Sequence, residues 1–187
     1  MINNKKIEIN NTKNEIIGIF DENDNYIGKD TRINMRKNNL IHRVTYIVVS
    51  NQKGEIMIQK RSLTKEYCPG YLDAVIGGVV GDREDVNLCA EREVLEEIGI
   101  DIKDKKDKLN FIFKFFFNED ICKCWIYCYH LKLTEEEANL IKFGDNEIVS
   151  IKWFNKNELI KMFSDINIKF TEGSKKAILY YISNNII

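Results

Sequence analysis

The sequence predicts an α/β fold: one mixed domain with a central helix and several strands. Three observations predict it. β-rich runs come in pairs joined by turn residues, such as "HRVTYIVVS" and "EIMIQKR" around "NQKG". Between strand signals, the segment from about Val86 to Ile98 switches to helical spacing, with Val86, Cys89, Ala90, Val94 and Ile98 apolar. The 187 residues, 44% hydrophobic and 11% aromatic, suffice for one sizeable core and show no internal repeat or linker.

The elements follow in order. Residues 1–13 are polar and rich in Asn and Lys, and are expected to be flexible. A single domain is expected over 14–187. "EIIGIFDENDNYIGKDTR" reads as an N-terminal hairpin turning at "DENDN", and "INMRKNNL" as a short helix. The pair around "NQKG" follows, then the loop "SLTKEYCPGYLD" with the chain's one proline, Pro69. "YLDAVI" reads as a strand ending at Gly77 and Gly78. The helix from Val86 stops at Gly99, a residue suited to a helix end. "KLNFIFKFFF" and "ICKCWIYCYHLKL" flank "NED" as two strands, and "TEEEANLI" fits a short helix. "NEIVSIKWF" is a strand. "NKNELIKMF" opens with a capping box, Asn155 with Glu158, and "TEGSKKAILYYI" is a C-terminal helix.

Composition limits function. A net charge of −1 argues against a general nucleic-acid binder, while leaving room for a local basic pocket. Five cysteines without a framework rhythm, and a start lacking an apolar leader, suggest reduced thiols and a cytoplasmic protein. No run approaches the length of a membrane span. The sequence leaves oligomeric state open, a homodimer among the options.

"REVLEEIGI" carries the sharpest feature. Glu93, Glu96 and Glu97 lie within one or so turns of each other. Like charges at this spacing cost a bare helix roughly 0.2–0.5 kcal/mol per pair. They also sit at the helix C-terminus, the unfavourable end of its dipole for anions. A solvated acidic face is the ordinary explanation of such a run. Converging carboxylates can instead form a hard-oxygen site for Mg²⁺ or Mn²⁺, whose charge cancels the repulsion. Gly77 and Gly78 let backbone approach such a site closely.

From Gly78, five residues lead to Glu84, seven more to Arg92, and "REVLEEIGI" completes the pattern. This matches the Nudix box, GX5EX7REUXEEXGU, with Val94 and Ile100 in the aliphatic positions. The chain thus resembles the Nudix hydrolases. The resemblance implies an α/β/α sandwich with a mixed sheet, an extra N-terminal hairpin and a C-terminal helix. It also implies metal-dependent hydrolysis of a diphosphate bond in a small, nucleoside diphosphate-linked substrate. Glu93, Glu96, Glu97 and the Gly78 carbonyl would be metal ligands, with Glu93 or Glu96 able to orient or deprotonate water. Arg92 would pair with Glu84 and lock loop to helix.

"GIFDENDNYIG", "HRVTYIVV", "QKRSLTKEYCPGYLD" and "KFTEGSKKAI" extend the resemblance to one subgroup, Nudix proteins related to isopentenyl-diphosphate delta-isomerase. That subgroup places diphosphate-binding residues where Arg61 and Lys65 stand. The isomerase is therefore the rival function, with a non-catalytic nucleotide-binding module as a third. Against the isomerase, Gly77 replaces its catalytic cysteine, Val79 replaces a metal-binding histidine, and its box is degenerate where this one is intact. His42 matches another isomerase metal ligand, and Asp120, after Glu119, roughly matches an acidic one. Glu147 precedes a strand near where some Nudix enzymes carry an additional acid.

Cys122, Cys124, Cys128 and His130 alternate along one strand and suggest zinc. They span about 26 Å at ~3.3 Å per residue, too far to share one ion, and read as core thiols.

Overall fold

The computed structural model describes residues 14–65, 67–103, 106–143 and 147–184. The expectation for residues 1–13 lies outside them. The element order is β1 (Ile16–Phe20), β2 (Tyr26–Thr31), α1 (Arg32–Lys37), β3 (His42–Ser50), β4 (Ile56–Arg61), β5 (Leu72–Asp73), α2 (Val86–Ile98), β6 (Leu109–Glu119), β7 (Cys122–Lys132), α3 (Glu135–Asn139), β8 (Ile148–Phe154), α4 (Lys156–Ser164) and α5 (Glu172–Ser183). The N-terminal hairpin, the central helix and the C-terminal helix stand where the sequence predicts them. Among the described residues, no helix is long and apolar enough to cross a membrane.

β1 and β2 form a two-stranded antiparallel sheet. The larger sheet has the order β5-β4-β3-β7-β6, with β8 also on β4. Its pairings of β4 with β3, β5 and β8 are antiparallel, and a parallel bridge joins Leu72 to Phe170, so strand directions are mixed. The strand expected over "YLDAVI" is shorter than predicted because the chain changes neighbours. Leu72 and Asp73 pair with β4, whereas Ile76 exchanges both backbone hydrogen bonds with Ile47 of β3, at 2.8 and 3.1 Å.

Two compact units divide the chain: Met1–Thr45 with Gly78–Cys89 and Phe113–Tyr127, and Tyr46–Gly77 with Ala90–Ile112 and Cys128–Ile187. In the first, Asp24 is the polar anchor. Its buried carboxylate accepts from Arg43 Nε at 2.8 Å, Lys114 Nζ at 2.7 Å and the Tyr127 hydroxyl. Burial alone raises its pKa, but these three hydrogen bonds outweigh that and hold it below the usual carboxylate range. The second unit has an apolar core of Val48, Ile56, Ile58, Leu159, Phe163, Phe170, Ile178 and Tyr181. The predicted Asn155–Glu158 capping box starts α4.

α2 is fixed at both ends. Asp85 caps its start by accepting from the Asn87 and Leu88 N–H groups at 2.8 and 3.3 Å. Gly99 ends it at φ 71°, with its N–H on the Leu95 carbonyl at 3.0 Å. A Cβ at position 99 would stand 3.1 Å from the Lys142 carbonyl oxygen. Gly99→Ala should therefore lower stability by about 1–2 kcal/mol, the cost of a left-handed non-glycine residue. Urea denaturation checks this, and an unchanged midpoint contradicts it.

Candidate active site

Helical geometry sorts the three glutamates. Glu93 and Glu97 are four apart, on the line that carries the buried Val94, Ala90 and Ile98, and each is only 8% exposed. Glu96 falls on the outer side, with 56% of its side chain exposed. Arg92 Nη1 bridges the two rows, donating to Glu93 Oε1 at 2.8 Å and Glu96 Oε2 at 2.9 Å. The sequence places all three on one face; the structure buries two and leaves the third at the rim.

Glu97 is the unusual group. Its Oε2 is buried and has no hydrogen-bond partner among the described residues. A buried carboxylate oxygen left alone is costly. Burial is the main cause that pushes its pKa up to about 8. Lys65 opposes the rise, and Glu93, Glu147 and Asp73 add to it. Lys65 Nζ lies 3.9 Å from Glu97 Oε1 and is hydrogen-bonded to Glu147. One ammonium thus faces two carboxylates that the sequence separates by 50 residues.

A second network supports this one. Arg61, at the end of β4, gives Nη1–H to Asp73 Oδ2 at 2.9 Å, and Nε–H and Nη2–H to the Tyr67 carbonyl at 3.1 and 2.9 Å. It thereby holds the loop that carries Lys65. Asp73 is buried, which raises its pKa against the pull of Arg61. Asp73 Oδ1 accepts from Thr171 Oγ1 at 3.0 Å, and Thr171 Oγ1 lies 2.7 Å from Ser174 Oγ. Ser174 Oγ in turn accepts from the Ala74 N–H at 3.2 Å. Sequence reasoning missed Asp73. The signal was a lone carboxylate inside the apolar run "YLDAVI", together with the hydroxyls of "KFTEGSKKAI".

The remaining predicted residues belong to the first unit. Gly78 accepts the Thr45 N–H on its carbonyl at 2.9 Å, and Glu84 Oε2 accepts the Gly81 N–H at 2.7 Å, tightening the glycine loop. Glu119 and Asp120 end the β6–β7 hairpin, where their carbonyls accept from Asn39 Nδ2 at 3.2 and 3.0 Å. His42 is buried, and burial pushes its pKa down to about 4. It groups with Cys122 and Cys124. Gly77, in the second unit, has φ 138°, a conformation that a side-chain-bearing residue adopts with strain.

The residues fit a hard divalent cation. Glu93 and Glu97 place buried carboxyl oxygens at i and i+4, Glu96 places one at the rim, and the lone Oε2 of Glu97 is a ligand position without a protein donor among the described residues. Without metal, folded Glu97 keeps its proton from its ordinary pKa of 4.5 up to about 8, while the unfolded chain has released it. The folded state binds more protons in that window, so stability falls as pH rises through it. In EDTA, Glu97→Gln should flatten the slope of unfolding free energy against pH across the window and exceed the wild type in stability above it. Parallel slopes for the two proteins contradict the assignment.

Comparisons with known proteins identify the family and the fold. The NUDIX domain family matches residues 40–173. An uncharacterized Nudix hydrolase of Yersinia pestis is 40% identical over 171 residues, covering 91% of this chain and 87% of that protein. A prenyl-diphosphate phosphatase of Methanosarcina mazei is 29% identical over 164 residues, covering 88% and 93%. The solved structure of DR0079 from Deinococcus radiodurans superposes with a TM-score of 0.70 at 21% identity, covering 89% of this chain and 98% of that one, and shows the shared fold. With the family matched across most of its length and its acidic helix intact, the chain belongs to the NUDIX domain family.

Proposed function

We propose that this chain hydrolyses the diphosphate bond of a small molecule with Mg²⁺ or Mn²⁺, using Glu93, Glu96 and Glu97 as metal ligands. By its family the chain is a Nudix-type pyrophosphohydrolase. The observation that carries the metal reading is the buried, unpartnered Oε2 of Glu97 beside Glu93. A bound divalent cation supplies positive charge at the diphosphate and acidifies a coordinated water.

The chain's own residues do the rest. Glu93 or Glu96 would take the proton as the water oxygen bonds to phosphorus and the bridging P–O bond breaks. Arg92 is a positioning residue that holds Glu93 and Glu96 at hydrogen-bond distance. Glu84 positions the glycine loop by accepting the Gly81 N–H. Lys65 faces Glu97 and Glu147, and its ammonium is able to turn to a phosphate oxygen. Arg61 was expected at the diphosphate; three of its N–H bonds go to Asp73 and Tyr67, which supports a loop-holding role.

Two substrate classes stand out. A nucleoside diphosphate linked to another group is what the box implies. A prenyl diphosphate is favoured by the similarity to the Methanosarcina mazei phosphatase along most of both chains. The isomerase reading is disfavoured by Gly77, whose φ of 138° would strain a cysteine there.

A panel of both substrate classes, with Mg²⁺ and Mn²⁺, tests the proposal by release of phosphate or a monophosphate. Glu97→Gln should cut turnover by orders of magnitude with the fold intact by circular dichroism. Full activity in that variant would refute the metal role, and interconversion of isoprenoid diphosphates without release would indicate an isomerase. Lys65→Met should raise KM for the diphosphate more than it lowers kcat; a pure kcat loss would assign Lys65 to the chemical step instead.

A further inference from the structure

We infer that His42, Cys122 and Cys124 form a second metal site, separate from the carboxylate site, for a thiophilic cation of the Zn²⁺ type. One ligand atom from each residue lies within 4.8 Å of those of the other two. The two sulfurs are 3.8 Å apart. At a Zn–S distance of about 2.3 Å, the S···S edge of a tetrahedron is also about 3.8 Å. The thiols therefore already stand at bonding separation.

The local structure explains the convergence. Cys122 and Cys124 are two apart at the start of β7, so their side chains leave the same face of the strand. β3 is the neighbour of β7, and His42 is its first residue. Asn39, at φ 48°, reaches the β6–β7 turn and donates to the Glu119 and Asp120 carbonyls at 3.2 and 3.0 Å, fastening the turn close to His42 and Cys122 in sequence. His42 Nδ1 lies 3.0 Å from the Leu40 carbonyl, and the ring has a second backbone hydrogen-bond partner in Lys123, the residue between the two cysteines. With Nδ1–H kept on Leu40, Nε2 would be the ligating nitrogen, and a backbone carbonyl orients the ring as it does for many ligating histidines.

The donor set selects the metal. Two sulfurs and an imidazole suit Zn²⁺ and not Mg²⁺, so the site would not compete with Glu93 and Glu97 for their cation. Cys124 and His42 are buried, whereas Cys122 is half-buried and gives an entry path. Among the described residues three donors meet, which leaves the fourth tetrahedral position for water or a small thiol. The cluster differs from the strand-spanning set that sequence spacing rejects: it keeps Cys122 and Cys124, Cys128 and His130 take no part, and His42 comes from another strand. The metal would join the beginnings of β3 and β7 and stabilise the first unit.

Cobalt(II) is the probe, added to the reduced full chain. Wild-type protein should give a thiolate-to-cobalt charge-transfer band saturating at one equivalent, which Zn²⁺ bleaches. Cobalt on glutamates gives no such band, so Glu93→Gln/Glu97→Gln should keep it. Cys122→Ser should abolish the band and weaken Zn²⁺ binding by more than about 100-fold, and Cys128→Ser should leave both unchanged. Zn²⁺ should raise the melting temperature of the wild type and not of Cys122→Ser. Absence of the band in folded wild type overturns the inference, as does a band that survives Cys122→Ser.

Discussion

The unpartnered buried carboxylate of Glu97 is the constraint on which the candidate site depends. Helix α2 must bury its apolar row of Cys89, Ala90, Val94 and Ile98 to fold. Burying that row also buries Glu93 and Glu97, which lie beside it at helical spacing. Ionising both in a low-dielectric setting would cost desolvation and mutual repulsion, and Glu97 therefore keeps its proton up to about pH 8. Lys65 offsets part of this from 3.9 Å, but leaves Oε2 of Glu97 without a donor. A divalent cation relieves both costs at once.

The elements around the glutamate helix are tied together by hydrogen bonds. Arg61, Asp73, Thr171 and Ser174 tie the Lys65 loop, β5 and the start of α5 into one hydrogen-bonded chain. These partners are distant in sequence and meet only in the fold. Their burial makes each bond expensive to break, because the remaining partner would be left alone. Lys65 already faces Glu97 and Glu147. Diphosphate binding would then exchange one set of oxygens for another around the same ammonium.

The sequence made the local structure legible because most of it is periodic. The α2 limits, the N-terminal hairpin and the Asn155 capping box all follow from spacing and turn chemistry. β5 was less legible, since a run of apolar residues does not reveal where a strand changes neighbour. The same limit applies to the site. Spacing assigns the three glutamates to one helix, but only packing separates the buried Glu97 from the exposed Glu96. Asp73 and the Thr171–Ser174 hydroxyls carry no signal until β5 and α5 meet. Pairing His42 with Cys122 and Cys124 needed strand order, which alternation along a single strand cannot supply.

The most direct measurement is the titration of the Glu97 side-chain carboxyl by carbon-13 NMR, with and without Mg²⁺. Without metal it should titrate near pH 8, as burial dictates. Saturating Mg²⁺ should remove that transition and hold the group ionised down into the ordinary carboxylate range or below it. An identical titration in both conditions would contradict the account, because a carboxylate that ignores the cation is not its ligand.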